Sequence, residues 1–181
     1  MKKLMLVLVI LAVIGGAVFA FDPMSYPPPV EGGNIMVDAG IGLRGMGYSG
    51  SSWIIPPLFV QAEYALPVGV PISVGALFTI EKFGYNWTPS DKWTWTDITI
   101  AGRGNWHFGF DIDWLDFYAG ISLGYTIDTF SSSGGSSWGT SYGGFFWSGQ
   151  VGAHFYFTKM IGAMVEAGYP YWIKAGVAIK F

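Results

Sequence analysis

His107 and His154 are the only two histidines in this 181-residue chain. Imidazoles with acids nearby have the ligand types of a metal site. Two lone histidines fit better as satisfied residues of an interior, and neither a metal nor a cofactor is expected. Gly40-Ile41-Gly42-Leu43-Arg44-Gly45 matches the G-x-G-x-x-G pattern that binds dinucleotides. That pattern needs a helix directly after it, so that backbone N–H groups point at pyrophosphate. Here it lies in an alternating, strand-like stretch, so its glycines read as small residues facing an interior. Asn86-Trp87-Thr88 matches an N-glycosylation acceptor and reads, in a bacterial host, as part of a polar loop. The chain has no cysteine. That excludes a disulfide framework, a thiolate metal site, a Cys nucleophile and a lipid-modified cysteine.

The remaining chemistry is a set of charges sharing one face of a strand pattern. It comprises six acids, Asp38, Glu63, Glu81, Asp97, Asp116 and Glu166, and four bases, Arg44, Arg103, Lys174 and Lys180. Gln61, His107 and His154 fall on the same face. In a narrow interior opposite charges must pair, because an unpaired buried charge is expensive. The set reads as a stabilising salt-bridge plug, with a narrow cation-preferring conduit as the functional alternative.

The elements that position these charges are strands of period two. The clearest is Ile173 to Phe181. Its apolar positions Ile173, Ala175, Val177, Ile179 and Phe181 alternate with Lys174, Gly176, Ala178 and Lys180. Seven similar stretches precede it, at about Asn34–Met46, Ile54–Ala65, Ile72–Phe83, Trp93–Phe108, Leu115–Ile127, Phe145–Phe157 and Ile161–Tyr169. Pro56-Pro57 places the start of the second strand above its paired region. Gly84–Lys92 reads as a polar loop. Asp128–Gly144, rich in Ser and Gly, reads as the longest and most flexible connection. Eight strands bring the last beside the first, antiparallel, so the sheet closes and leaves no edge.

Met1-Lys2-Lys3, an apolar run from Leu4 to Phe19, and Val18 and Ala20 form a secretory signal peptide cleaved after Ala20. Loss of residues 1–20 leaves 161 residues, and loss of Lys2 and Lys3 with them moves the formal charge from −3 to −5. A weakly acidic chain excludes a nucleic-acid partner. Residues 21–33 carry four prolines and form an extended periplasmic leader, which has the length to tuck into the barrel mouth. Residues 34–181 form the barrel. Charged residues make up only 12% of the chain, against about a quarter in water-soluble domains. Part of the surface therefore does not face water.

A closed sheet can be apolar inside or outside. The apolar face here carries essentially no charge. A charge facing lipid near mid-membrane would cost about 2–4 kcal/mol, so strict exclusion fits an apolar exterior. Aromatics also gather at strand ends on that face. Tyr64, Trp106, Phe108, Phe117, Phe155, Phe157 and Phe181 form one band, and Trp53, Tyr125, Trp147 and Tyr169 the other. Two such bands match interfacial girdles. Connections after odd-numbered strands are longer or richer in Gly, Ser and Trp than those after even-numbered ones. This is the asymmetry of outer loops against periplasmic turns. The outer connections carry Trp53, Trp87, Trp93, Trp95 and Trp138, which either join a girdle or meet ligands and lipid head groups.

With its signal peptide, eight alternating segments, Glu166-Ala167-Gly168-Tyr169 before the last strand and terminal Phe181, the chain resembles the small eight-stranded outer-membrane β-barrels, the OmpA/OmpX/OmpW-like proteins. The resemblance covers about Asn34 to Phe181. It implies an all-β, closed, antiparallel eight-stranded transmembrane barrel with a polar lumen. It also implies a monomer in outer-membrane lipid and assembly through the barrel-assembly machinery, with Phe181 as the assembly signal. Lipid-modifying barrels such as the PagL-like deacylases use a His-x-Ser pair. Here His107 precedes Phe108-Gly109 and His154 precedes Phe155-Tyr156, which argues against that chemistry. The expected function is therefore non-enzymatic, structural or surface-interacting through the outer loops. A narrow channel for small or apolar solutes, a lipid-modifying enzyme and a soluble ligand-binding barrel are the alternatives.

Overall fold

The computed structural model describes residues 27–43, 50–88, 91–133, 140–169 and 173–181. The signal peptide, Arg44 and Trp138 lie outside the described residues. Eight strands, β1 (Ile35–Leu43), β2 (Ser52–Ala65), β3 (Ile72–Thr88), β4 (Asp91–Phe108), β5 (Leu115–Ser132), β6 (Thr140–Tyr156), β7 (Ile161–Gly168) and β8 (Ile173–Lys180), follow in order. Each pairs with its sequence neighbour, and β1 pairs antiparallel with β8, from Met36 opposite Lys180 to Leu43 opposite Ile173. The expected closed barrel is thus the fold of this chain.

Alternation decides which face points where. Ile41, Val60, Phe78, Ile100, Ile121, Val151, Val165 and Val177 are exposed on the outside. Asp38, Gln61, Glu63, Arg103, Asp116 and Glu166, one step away along the same strands, are buried inside. A one-residue slip in any pairing would exchange these sets, so the apolar exterior fixes the register. Exposed Tyr64, Phe117, Phe157 and Phe181 lie toward one rim, and exposed Tyr125, Trp147 and Tyr169 toward the other. The interior is not uniformly polar. Phe59, Leu77, Ala101, Phe146, Tyr156, Met164 and Ala178 form a buried apolar cluster within it.

Strand lengths depart from the sequence reading. β3 and β4 pair up to Thr88 opposite Asp91, so most of the expected Gly84–Lys92 loop is strand, including Asn86-Trp87-Thr88. β5 and β6 pair up to Phe130 opposite Thr140, which shortens the expected Asp128–Gly144 connection. Thr, Tyr, Trp and Ser alternate through these segments, and threonine and aromatic residues favour the pleated backbone whatever their polarity. β3 to β6 therefore have 17 or 18 residues each, against 8 or 9 in β1, β7 and β8. They rise as a wall on one side of the barrel. The asymmetry between the two ends lies in strand length more than in loop length.

β2 reaches Ser52, beyond the expected start. Pro56-Pro57 do not end its pairing. They fall where the β2–β3 register shifts, between Ile55 and Leu58. Two missing N–H donors are absorbed as an irregularity in the ladder. At the opposite end the leader reaches the barrel mouth. Val30 is buried with Met36 and Ala65. The Gly33 N–H donates to the carbonyl of Ala65 at 2.8 Å.

Candidate functional site

The interior charges are joined in one closed ring. Nε2 of His154 lies 3.2 Å from Oδ2 of Asp38, and its Nδ1 lies 2.9 Å from Oδ2 of Asp116. Asp116 also lies 3.0 Å from Nδ1 of His107. Nε2 of His107 is 2.9 Å from Oγ of Ser73, and the Ser73 hydroxyl donates to Glu63. Nε of Arg103 lies 2.9 Å from Oε1 of Glu63, a charge contact without hydrogen-bond alignment. The same guanidinium donates to Glu166 at 2.9 Å. Glu166 meets the ammonium of Lys174 at 2.5 Å. Lys174 donates to Gln61 at 3.2 Å, and Gln61 donates to Asp38 at 2.8 Å, which closes the circuit.

Each of the eight strands contributes at least one member, and none is more than 5% exposed. The placement follows from strand parity. A long polar side chain on every inward face, at similar depth in a narrow barrel, can reach its neighbours across the lumen. Side branches satisfy the spare valences. The Tyr118 hydroxyl donates to Glu166 at 2.9 Å and Asn105 donates to Glu63 at 2.8 Å. Gln150 donates to Asn105 at 3.0 Å.

Hydrogen-bond direction shows what the ring can do. An ionised carboxylate only accepts, so His154, between Asp38 and Asp116, donates from both ring nitrogens. The single Ser73 proton goes to Glu63, so His107 donates to Ser73 from Nε2 and to Asp116 from Nδ1. The four carboxylates Asp38, Glu63, Asp116 and Glu166 face Arg103, Lys174 and the two imidazole rings. Ser73, His107 and Asp116 have the residue types and spacing of a nucleophilic triad. Their polarity is the reverse of one. A base must accept the hydroxyl proton, whereas here the Ser73 hydroxyl is directed to Glu63. Ser73 is fully buried. Beside Lys174, the space between Gly42, Pro57, Phe59 and Thr79 does not admit a water-sized sphere. The arrangement sets four carboxylates against Arg103, Lys174 and two imidazoles.

The structure thus brings together Asp38, Glu63, Arg103, Asp116, Glu166 and Lys174 of the expected set. Glu81 and Asp97 face the interior too, but nearer the wall end, opposite each other in the β3–β4 register. Asp97 is also opposite Asp128. Asp128 was expected in a loop and instead belongs to the inward face of β5. Lys180 is not in the charge ring. Its ammonium donates to the Pro29 carbonyl at 2.7 Å and lies 4.2 Å from the centre of the Tyr156 ring. Three inward positions beyond Lys174 on β8, it meets the leader's backbone before any acid. Ser73, Asn105, Tyr118 and Gln150 are the ring members and branches not singled out in the sequence. Their inward parity was readable, but their partners depend on inter-strand register.

The expected loop tryptophans are also placed differently. Trp53 and Trp93 lie on strands, as does Trp87 on β3. Trp93 and Trp95 share the inward parity of Asp97, which turns them toward the barrel mouth. Phe83 and Trp95 stack at 5.2 Å, and Trp53 meets Phe83 edge-on at 5.8 Å. Phe130 lies 5.3 Å from Trp95 and 5.7 Å from Trp93. The described tryptophans of this end are half-buried in one aromatic cluster and are not carried singly on loop tips.

No protein-family model matches the sequence, and no curated protein matches it. Solved structures of like fold do. One is Ail, the attachment invasion locus protein of Yersinia pestis, solved in complex with the heparin analogue sucrose octasulfate. It has 11% identity and a TM-score of 0.56, over 84% of this chain and all of that one. OprG from Pseudomonas aeruginosa has 12% identity and a TM-score of 0.53, over 83% of this chain and 97% of that one. Neisserial surface protein A has 14% identity and a TM-score of 0.50, over 82% and 96%. At these identities the likeness is one of fold, the small outer-membrane eight-stranded barrel.

Proposed function

We propose that this chain is a non-enzymatic, monomeric barrel of the outer membrane. It is exported by a cleavable signal and assembled by the barrel-assembly machinery. Its lumen is closed to solutes, and it acts as a structural or surface-contact element through the β3–β6 wall. The observation that carries this reading is the ring of buried side chains joining all eight strands. An eight-stranded interior is about filled by side chains, and a solute would have to break several charge-assisted bonds to pass. The reversed polarity at Ser73 and His107 favours a structural role for the histidines over lipid turnover. Surface contact is a role that the fold permits, as in the Ail complex with a sulfated sugar, although fold alone does not transfer a ligand.

Planar-bilayer recording of the refolded protein tests the closed lumen. The expected result is no steady conductance. Steady conductance that is abolished by changing Asp97 or Arg103 would overturn it and favour a narrow channel. Lipid turnover lost in His107→Ala or His154→Ala would establish an enzyme instead.

A further inference from the structure

The outward face of the β3–β4 and β5–β6 hairpins changes character at one level. Ile80, Ile98 and Ile127 lie side by side across β3, β4 and β5 and form the last aliphatic row of these two hairpins, with Ile54 of β2 reaching on to the Gly84 level beside them. One outward step along, the row reads Lys82, Thr96, Thr129 and Ser141. The next reads Gly84, Thr94 and Ser131. Hydrocarbon cannot solvate a row of hydroxyls and an ammonium, so the boundary between acyl chains and head groups falls between the isoleucine row and the Lys82 row.

Two lysines stand on the outward face at that boundary. Lys92 pairs with Asn86, two outward steps beyond Lys82. Its side chain does not point away from the membrane. Its Cε lies only 3.0 Å from where a Cβ on Gly84 would be. The stem therefore lies across Gly84, in the slot that the missing side chain leaves, one outward position from Lys82. Burying the stem and leaving the charge at the interface is how lysine behaves beside hydrocarbon. The acids of this hairpin, Glu81, Asp91 and Asp97, belong to the inward face. Asp91 is held there by Trp93 at 3.2 Å and by Ser132 at 2.9 Å. Among the described residues, neither lysine ammonium has a carboxylate partner. Two ammonium groups and the Thr96 hydroxyl, with no acid on their face, are open to an anion, while the Thr94 hydroxyl already donates to the Ser131 carbonyl.

We propose that Lys82 and Lys92, with Thr96, bind the phosphate monoester of a membrane lipid head group in the leaflet this hairpin faces. Ammonium groups supply the charge and the hydroxyl supplies a further donor to an oxygen-rich dianion. The acyl chains of the same lipid would lie against Ile80, Ile98 and Ile100 below. This site deepens the proposed membrane role and rests on the barrel lying in lipid. It does not depend on whether the lumen conducts.

The test is lipid retention. Full-length mature protein is reconstituted in phosphatidylcholine nanodiscs doped with lipid A, then released and examined by native mass spectrometry. The wild type is expected to retain lipid A over phosphatidylcholine, and excess inorganic phosphate is expected not to displace it. K82Q/K92Q should lower retention about tenfold, as loss of two charge-assisted contacts implies, and K92Q alone should lower it less. K159Q, in the β6–β7 turn, should change nothing. Heat-modifiable gel mobility of each variant shows that its barrel is folded. A failure of that mobility in the wild type would defeat the membrane reading itself. Equal retention by folded wild type and folded K82Q/K92Q, or equal retention of dephosphorylated lipid A, would overturn the phosphate site. Displacement by inorganic phosphate would reassign it to the free anion.

Discussion

Nδ1 of His107 lies 3.0 Å from the Asp116 carboxylate on the neighbouring strand. The same carboxylate lies 2.9 Å from Nδ1 of His154 on its other side. Asp116 is the one acid of the ring held between two imidazoles, and it is fully buried. Its charge keeps both rings oriented. His107 then holds Ser73, and His154 reaches across to Asp38. Removing this acid leaves two buried imidazoles facing each other with no anion between them.

Asp116→Asn tests that account with almost no change of volume. The amide offers a single acceptor oxygen and turns an N–H toward a donor. The cost should approach the 3–5 kcal/mol, roughly, of breaking a buried ion pair from one side. Ser73→Ala removes a neutral member and should cost about 1–3 kcal/mol. Urea unfolding of both variants in lipid vesicles measures the order. Ser73→Ala proving the costlier of the two would show that Asp116 is not the pivot of the ring.

Arg103 faces two acids, Glu63 at 2.9 Å and Glu166 at 2.9 Å. Arg103→Met should cost about 3–5 kcal/mol, because it leaves one carboxylate with only Asn105 and Ser73 and the other with Lys174 and Tyr118. Adding Glu63→Gln to that variant should recover part of the loss. The coupling between the two sites should be about 0.5–3 kcal/mol, read from a double-mutant cycle of unfolding free energies. Additive effects would mean that the Arg103–Glu63 contact, which lacks hydrogen-bond alignment, contributes nothing to stability.

Strand number, closure and the inward set Asp38, Glu63, Arg103, Asp116, Glu166 and Lys174 were all legible in the sequence, because period two assigns each residue to a face without any knowledge of its neighbours. The chain order of the ring was not. Which acid meets which base is set by the stagger of the strands, and stagger is not a property of any one strand. The wall was missed for a different reason. Gly84–Lys92 and Asp128–Gly144 are polar and rich in turn-forming residues. Both faces of a strand above the membrane can be polar, so the apolar alternation that marked the other strands vanishes there. Trp93 and Trp95 were placed on a loop for that reason, although their parity with Asp97 already turned them inward.

Gly152 sits under the Tyr118 ring, and a Cβ at this position would overlap its phenol end. Tyr118 is 2% exposed and donates to Glu166, so it cannot swing aside without breaking that bond. Gly152→Ala should therefore cost about 1–3 kcal/mol through overpacking. Gly149, three residues away on the same strand, meets nothing within 4 Å. Gly149→Ala should be nearly neutral or slightly stabilising, since alanine loses less backbone freedom than glycine on folding. Unfolding midpoints of the two variants in the same vesicles decide it, and equal losses would mean that the tyrosine does not occupy the glycine's space.

Phe181 separates folding from assembly. Its N–H donates to the Ile35 carbonyl at 2.9 Å, and the Ile35 N–H donates to the Phe181 carbonyl at 3.1 Å. Both bonds are made by backbone, and they continue the β1–β8 seam one residue past Lys180. The side chain is 61% exposed on the outer surface and adds little packing. Phe181→Ala should keep both bonds and shift the stability of protein refolded in detergent by about 1 kcal/mol or less. If the aromatic ring serves as a recognition signal for the barrel-assembly machinery, the same variant should show a severalfold drop in heat-modifiable, membrane-inserted protein in cells. Loss in both assays would mark Phe181 as a structural residue of the seam. No loss in either would remove it from assembly altogether, leaving the alternation of Ile173 to Ile179 as the only feature of β8 available for recognition.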